Sequence, residues 1–454
     1  LFASLDAMFD LVAAHGLKAN DVAAITVDAM KRTAVFNTVH PDNDVAARAS
    51  LPFCLAVALH QPPVLGEIAA GLFLGPSLLG AVLPSGAAFL FPPASLPTLQ
   101  MLSQVGVLLF MFVVGVELDL SHLFARAAAA ITVSHCSIAV PFVLGVGLAF
   151  ALYGAWAPPG VPFHAYALFF GIAMSITAFP VLARILDDHK LTATPLGTTA
   201  LVCAAIGDVT AWTLLAFVVA VVTAGGAPKT LAAILVALTA FTSAMIAIVR
   251  PGLQRLLAPA EVTGQVSRGQ MAVVLMVVVA SALVTEIIGV HALFGAFLSG
   301  TVMPDGGRLR AMLRERIESV ATVFLLPLFF VYTGLRTDVG QLTTAGSWAI
   351  CGGIIILATV GKVGGTAIAA RWTGQSWPDA MALGALMNTR GLMELIALNV
   401  GLDLGVLTPP VFTMLVLMAL VTTAMTGPLL SLFMRDHASV HGTALPREPA
   451  NLRT

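Results

Sequence analysis

The chain has 454 residues, 58% hydrophobic and only 10% charged, with a mean hydropathy of +0.96, far from the roughly one-quarter charged composition of a soluble domain. Twenty-two Lys and Arg face 23 Asp and Glu, a net charge of −1, so there is no basic surface on which nucleic-acid binding could rest. Cys54, Cys136, Cys203 and Cys351 lack CxxC or zinc-like spacing and imply neither a disulfide framework nor a metal cluster. The composition is that of an all-α, multi-pass integral membrane protein whose surroundings are the lipid bilayer.

Residues 1–60 stand apart. They hold ten charged residues, against 35 in the remaining 394. Leu5, Met8, Phe9 and Val12 recur at helical spacing and 22–27 reads as a short strand, while Leu51–Leu59 is too short to cross a bilayer. No basic start followed by an apolar stretch marks a signal peptide. The segment 15–60 resembles part of the MmgE/PrpD family of 2-methylcitrate-dehydratase-like enzymes, too short to carry that activity. It is read as a fusion or gene-model artefact, with a genuine cytoplasmic extension as the alternative.

From residue 61 the chain is built of apolar runs cut by Pro and Gly. A hydrocarbon core of roughly 30 Å needs about 20 apolar residues per helix. On that measure twelve crossings or partial crossings are expected, at about 63–83, 99–117, 127–152, 164–186, 194–223, 229–249, 269–288, 289–303, 319–335, 346–370, 379–402 and 409–433, with 289–303 too short to span with certainty. Alternate threading puts 14 Lys and Arg on one side and only Lys229 and Arg336 on the other. The positive-inside rule then places the C-terminus, with its short 434–454 tail, in the cytoplasm.

Intramembrane charges are costly and mark function by default. Asp208 follows 17 residues without charge and precedes 20 more, which sets it near the middle of its helix. Just upstream, Thr177, Ala178, Phe179 and Pro180 interrupt an apolar crossing. Pro180 has no N–H to return to Ile176, so the helix should break and free backbone oxygens. Those oxygens and the Thr177 hydroxyl are hard ligands suited to a dehydrated monovalent cation.

A second interruption, Asn388, Thr389, Arg390 and Gly391, follows about 210 residues later. Arg390 and Glu394 are one helical turn apart and read as a structural pair that neutralises itself. Lys362 follows 23 uncharged residues and is flanked by Gly361, Gly364 and Gly365. It is the natural counter-charge for Asp208 or for the freed carbonyls, unless it snorkels to the interface. Glu286 and His291 bracket Gly289 and read as satisfying each other, and His135 reads as a core histidine.

The runs QPPVLGEIAAGLFLGPSLLG, GVLLFMFVVGVELDL, SITAFPVLARIL, TEIIGVHALFGAFLSGTVMP, LPLFFVYTGLRTDV and MNTRGLMELIALNVGL resemble, in order, the monovalent cation:proton antiporter-2 family, and within it the CHX-like and Kef-type exchangers. The likeness covers about 61–433. It implies a sodium/proton-antiporter-like fold with inverted repeats, two crossing broken helices and a dimerisation domain, hence a homodimer, in a bacterial inner membrane. On that pattern 177–180 is the first broken helix, Asp208 the cation- and proton-binding aspartate, Lys362 the core basic residue and 388–391 the second broken helix. Two departures stand out. Gly207 occupies a place that is usually polar or acidic, and the family's helix before QPPVLGEI is missing.

The function implied is exchange of K+ or Na+ for H+ by alternating access, with cation and proton competing for Asp208 and no cofactor. A single carboxylate points to electroneutral exchange. The alternative is a transport-inactive, truncated or chimeric membrane protein acting at most as a partner subunit.

Overall fold

The computed structural model describes residues 63–117, 127–192, 194–225, 227–304 and 307–441. The expectations for residues 1–60 and for most of the C-terminal tail lie outside these residues. Every regular element described is helical. We label the principal helices α1 (Pro63–Leu74), α2 (Leu96–Glu117), α3 (Ala127–Trp156), α4 (Phe163–Ser175), α5 (Phe179–Asp188), α6 (Pro195–Thr223), α7 (Pro228–Ala244) and α8 (Arg250–Thr263). They continue with α9 (Arg268–Ile288), α10 (Ala292–Thr301), α11 (Gly307–Val320), α12 (Leu326–Arg336), α13 (Ala345–Trp372), α14 (Trp377–Met387), α15 (Leu392–Asp403) and α16 (Pro409–His441).

Among the described residues eight helices are long and apolar enough to cross a membrane, or nine when α14 and α15, bent by 46°, are taken as one span. Nine of the twelve expected crossings are therefore full length. The other three fall on α1, α10 and α12, of 12, 10 and 11 residues. Local features bound each of them. Gly75 and Pro76 end α1, the Gly289 turn shortens α10 from its start, and α12 is set off from the charged α11 by a π-helical turn. The last helix runs unbroken through Arg435 to His441, past the expected boundary at 433.

Pi turns precede two of the prolines in this half of the chain. Met245–Val249 leads into Pro251 and Ala321–Leu325 into Pro327. A proline ring crowds the carbonyl four residues earlier and offers it no N–H, and a widened turn relieves both problems.

Two sets of helices pack in the same order: α3, the broken pair α4–α5 and α6, then α13, the broken pair α14–α15 and α16. Within each set the first helix lies against the first half of the broken pair and against the third helix, and α3 packs on α13 to join them. Gly361 and Gly365 make that junction. An added Cβ at Gly361 would lie 3.1 Å from the Pro141 Cα, and one at Gly365 2.8 Å from the Val140 Cβ, whereas Gly364 faces open space.

A second group is formed by α1, α2, α9, α10 and α12. There the backbones touch through glycines: Gly71 of α1 and Gly75 just past its end against Phe330 and Gly334 of α12, and Gly115 of α2 against Phe297 and Gly300 of α10. Small residues that let helix backbones meet are the usual glue where lipid removes the hydrophobic drive to associate.

Candidate functional site

Helix α4 ends because Ile176 turns extended (φ −65°, ψ 139°), and Ala178 is extended as well (φ −98°, ψ 99°). Pro180 lies in the first turn of α5, so the interruption precedes the proline instead of following from its loss inside one helix. This is the position at which a proline costs least, since first-turn N–H groups have no intrahelical partner.

The two interruptions cross. The Ala178 N–H donates to the Thr389 carbonyl at 3.1 Å, and the Thr177 hydroxyl donates to the Met387 carbonyl, also at 3.1 Å. Arg390 completes the junction. Its guanidinium donates to the Ala173 and Met174 carbonyls at 2.9 and 2.6 Å and to Glu394 Oε2 at 2.8 Å, with both charged side chains fully buried. The cation thus satisfies backbone oxygens at the C-terminal end of α4, where the helix dipole favours positive charge. That is the structural role the i, i+4 spacing suggested, extended to a second helix.

Helix α16 holds the second interruption from the other side. Thr423 Oγ1 accepts the Arg390 N–H at 2.8 Å and donates to the Arg390 carbonyl at 2.9 Å. The Asn388 amide donates to the Thr422 carbonyl at 3.1 Å, and Thr389 pairs with Thr426 at 3.4 Å. Sequence reasoning passed over these threonines. Their spacing in LVTTAMTG marks one polar stripe on an apolar helix, and that was the available signal.

Asp208 lies mid-way along α6 and is 2% exposed. It faces the backbone N–H of Phe179, the first residue of α5, an arrangement in which a helix N-terminus meets an anion. Its Oδ1 is buried without a hydrogen-bond partner among the described residues. Gly207 beside it is open: an added Cβ would meet only Ser134 Oγ, at 3.4 Å. Ser134 itself donates to the Cys203 carbonyl at 2.8 Å, tying α3 to α6 one turn before the aspartate.

Lys362 is fully buried on α13. It does not pair directly with Asp208, though its charge lies within electrostatic reach. Its ammonium donates to Thr177 Oγ1 at 2.6 Å and to Ser137 Oγ at 3.5 Å. Thr177 is therefore engaged on both sides, accepting from Lys362 and donating to Met387. Ser137, on α3, is a further residue the sequence did not single out.

The geometry gathers Thr177, Ala178, Phe179, Pro180, Gly207, Asp208, Lys362 and 388–391 at one crossing. It can hold a small dehydrated cation against a carboxylate in a site walled off from water. Among the described residues no cluster of three or more His, Cys, Asp or Glu is arranged for a metal ion, and the other buried acid of the crossing, Glu394, is paired with Arg390.

Comparison with known proteins agrees with this architecture. The family model for the transmembrane sodium/hydrogen exchanger matches residues 45–435. The chain is 44% identical to the Na(+)/H(+) antiporter NhaS4 of Synechocystis over 83% of its own length and 92% of that protein. It is 41% identical to cation/H(+) antiporter 17 of Arabidopsis thaliana over 82% of its length, and 32% identical to K(+)/H(+) antiporter 1 of Saccharomyces cerevisiae over 85%. It spans only 45% of each of those two longer proteins. The solved sodium/proton antiporter MjNhaP1 of Methanocaldococcus jannaschii superposes with a TM-score of 0.54 at 14% identity, covering 86% of this chain and 97% of that one, which shows a shared fold. The crossing of two broken helices and the match along most of the chain lead to one conclusion: this chain belongs to the transmembrane sodium/hydrogen exchanger family.

Proposed function

We propose that the chain is a cation/proton antiporter that exchanges K+ or Na+ for H+ one for one, with the two competing for Asp208. One observation carries the reading: a buried carboxylate with an unpartnered oxygen, set where two interrupted helices cross. A carboxylate sealed from water must be neutralised, and a proton and a bare cation exclude each other at one oxygen pair. Gly207 supplies no second acid, so each cycle moves one charge each way and the exchange is electroneutral. Relatives named for Na+ and for K+ support both cargoes.

Lys362 holds Thr177 in this scheme, and Thr177 in turn holds the second interruption, so loading of Asp208 is felt by both broken helices. The two helix–broken helix–helix sets move as a body against the group of α1, α2 and α9 to α12, presenting Asp208 to each side in turn. The protein sits in the bacterial inner membrane as a homodimer, C-terminus in the cytoplasm.

The test is dissipation of a proton gradient in inside-out vesicles on adding KCl or NaCl. The expected result is cation-dependent dissipation that Asp208→Asn abolishes while the variant inserts and folds. Unchanged exchange in Asp208→Asn would remove the assigned site.

A further inference from the structure

A cavity of about 400 Å3 opens between the two helical groups at the end of the bundle that carries Asp403. It is lined by Ile396, Asn399 and Val400 of α15, by Leu293 of α10 and Phe329 and Tyr332 of α12, and by residues of α2 and α9. His291, Leu293 and Val400 also border a smaller void, which is lined in addition by Trp212 and Leu215 of α6. Trp212 follows Asp208 by one helical turn. The cavity thus approaches the aspartate and stops at an indole.

That indole is 5% exposed and stacks on Phe297 of α10, with centroids 6.3 Å apart and planes at 28°. One ring of the stack belongs to the group that carries Asp208 and the other to the opposing group. The cavity wall is pinned between the same two groups by polar contacts. Arg336 of α12 meets Asp403 at 2.7 Å and donates to Asn399 Oδ1 at 3.0 Å, while the Asn399 amide donates to Thr333 Oγ1 at 3.0 Å. Arg336 also lies 5.3 Å from the centroid of the Tyr332 ring and faces the C-terminal end of α15, where a cation is favoured.

We infer that these contacts form a two-part gate on the path between this cavity and Asp208, with Trp212 on Phe297 as the plug and Arg336 on Asp403 and Asn399 as the clamp. The inference rests on the proposed movement of the two groups against each other. Relative motion must part the stack and the clamp together, because both bridge the same boundary. The plug is apolar and stops a hydrated ion. The clamp is charged and directional and holds α15, the second half of a broken helix, in register with α12. Arg336 is in this sense a positioning residue, remote from the ion itself.

The experiment reads access directly. Gly207→Cys, on the Asp208 side of the plug, is placed in a chain whose Cys54, Cys136, Cys203 and Cys351 are replaced by Ala, and a membrane-impermeant maleimide is added to vesicles of each orientation. Gly207 is buried beside Asp208, so labelling of the parent is slow. Asp403→Asn and Trp212→Ala should each speed it about five-fold or more, from one membrane face only. The exchanged pair Arg336→Asp with Asp403→Arg should bring the rate back toward the parent, a recovery that general loosening does not produce. Unchanged labelling in both single variants, or equal acceleration from both faces, overturns the gate. Labelling needs no transport, so exchange that survives Asp208→Asn would sink the ion-site assignment and leave the gate standing.

Discussion

Lys362 reaches Asp208 only through space, while its ammonium is bonded at 2.6 Å to the hydroxyl of Thr177. The buried cation of the site is thus fixed to the first interruption, and Thr177 passes the connection on to the Met387 carbonyl of the second. The hydrogen bonds of the lysine go to Thr177 and Ser137, and Asp208 Oδ1 has no partner among the described residues.

Thr177→Val tests this linkage with a side chain of nearly the same shape. It removes one acceptor from a fully buried ammonium and one donor from Met387, leaving Lys362 with Ser137 at 3.5 Å. Loss of a hydrogen bond to a charged group costs about 1.5–3 kcal/mol, so a clear fall in thermal stability in detergent is expected. Thr177→Ser keeps the hydroxyl and should keep most of the stability. A valine variant as stable as the parent would show that the lysine has another anchor.

Arg390 is expected to resist every substitution. Arg390→Met leaves Glu394 buried and charged and two carbonyls of α4 without donors, and breaking a buried pair costs about 3–5 kcal/mol. The double variant Arg390→Met with Glu394→Met removes the orphaned acid but not the loss at Ala173 and Met174, so it should recover only part of the yield of folded protein. Arg390→Lys should fail too, because a point-like ammonium cannot span three acceptors as a guanidinium does. Membrane yield and monodispersity after extraction are the measurements. Full recovery in the double variant would mean that the carbonyl contacts contribute nothing.

Glycines that look alike in sequence should separate sharply. Gly334→Ala drives a methyl into the backbone of Gly71, and Gly300→Ala into the backbone at Phe112, with no flexible side chain to give way. Overpacking of that kind costs about 1–3 kcal/mol or more. Gly364→Ala, with nothing near its Cβ, should be neutral or slightly stabilising, since alanine is the better helix former. Equal melting temperatures for Gly334→Ala and Gly364→Ala would refute the close approach of α1 and α12.

Much of this arrangement was legible along the chain, for a physical reason. Charge is so costly in lipid that Asp208, Lys362, Arg390 and Glu394 stand out against their apolar surroundings, and proline and glycine mark where the helices give way. What was hidden is relational. Ser137, Thr422, Thr423 and Thr426 are uncharged, common in membrane helices and quiet until the fold brings their hydroxyls against an ammonium or a freed backbone. The exact break was misjudged at Pro180, because a proline that starts a helix and one that disrupts it look the same until the preceding residues are seen to be extended. Trp212 was not singled out and Arg336 was counted as a loop charge, since neither stacking on Phe297 nor clamping Asp403 follows from spacing.

Gly207 offers the sharpest test of stoichiometry. An added Cβ there meets only Ser134 Oγ at 3.4 Å, so Gly207→Ala should fold as the parent does, and helix propensity even favours it by about 1 kcal/mol. With the fold preserved, Gly207→Asp places a second carboxylate beside Asp208. On the one-for-one exchange proposed for the parent, its rate should ignore an imposed membrane potential. Two acids can release two protons for one cation, so the variant should move net charge and respond to the potential. Electrical recording on a supported membrane separates the cases. A current from the parent would refute one-for-one exchange, and a silent Gly207→Asp that still exchanges would show that the added carboxylate holds its proton throughout the cycle.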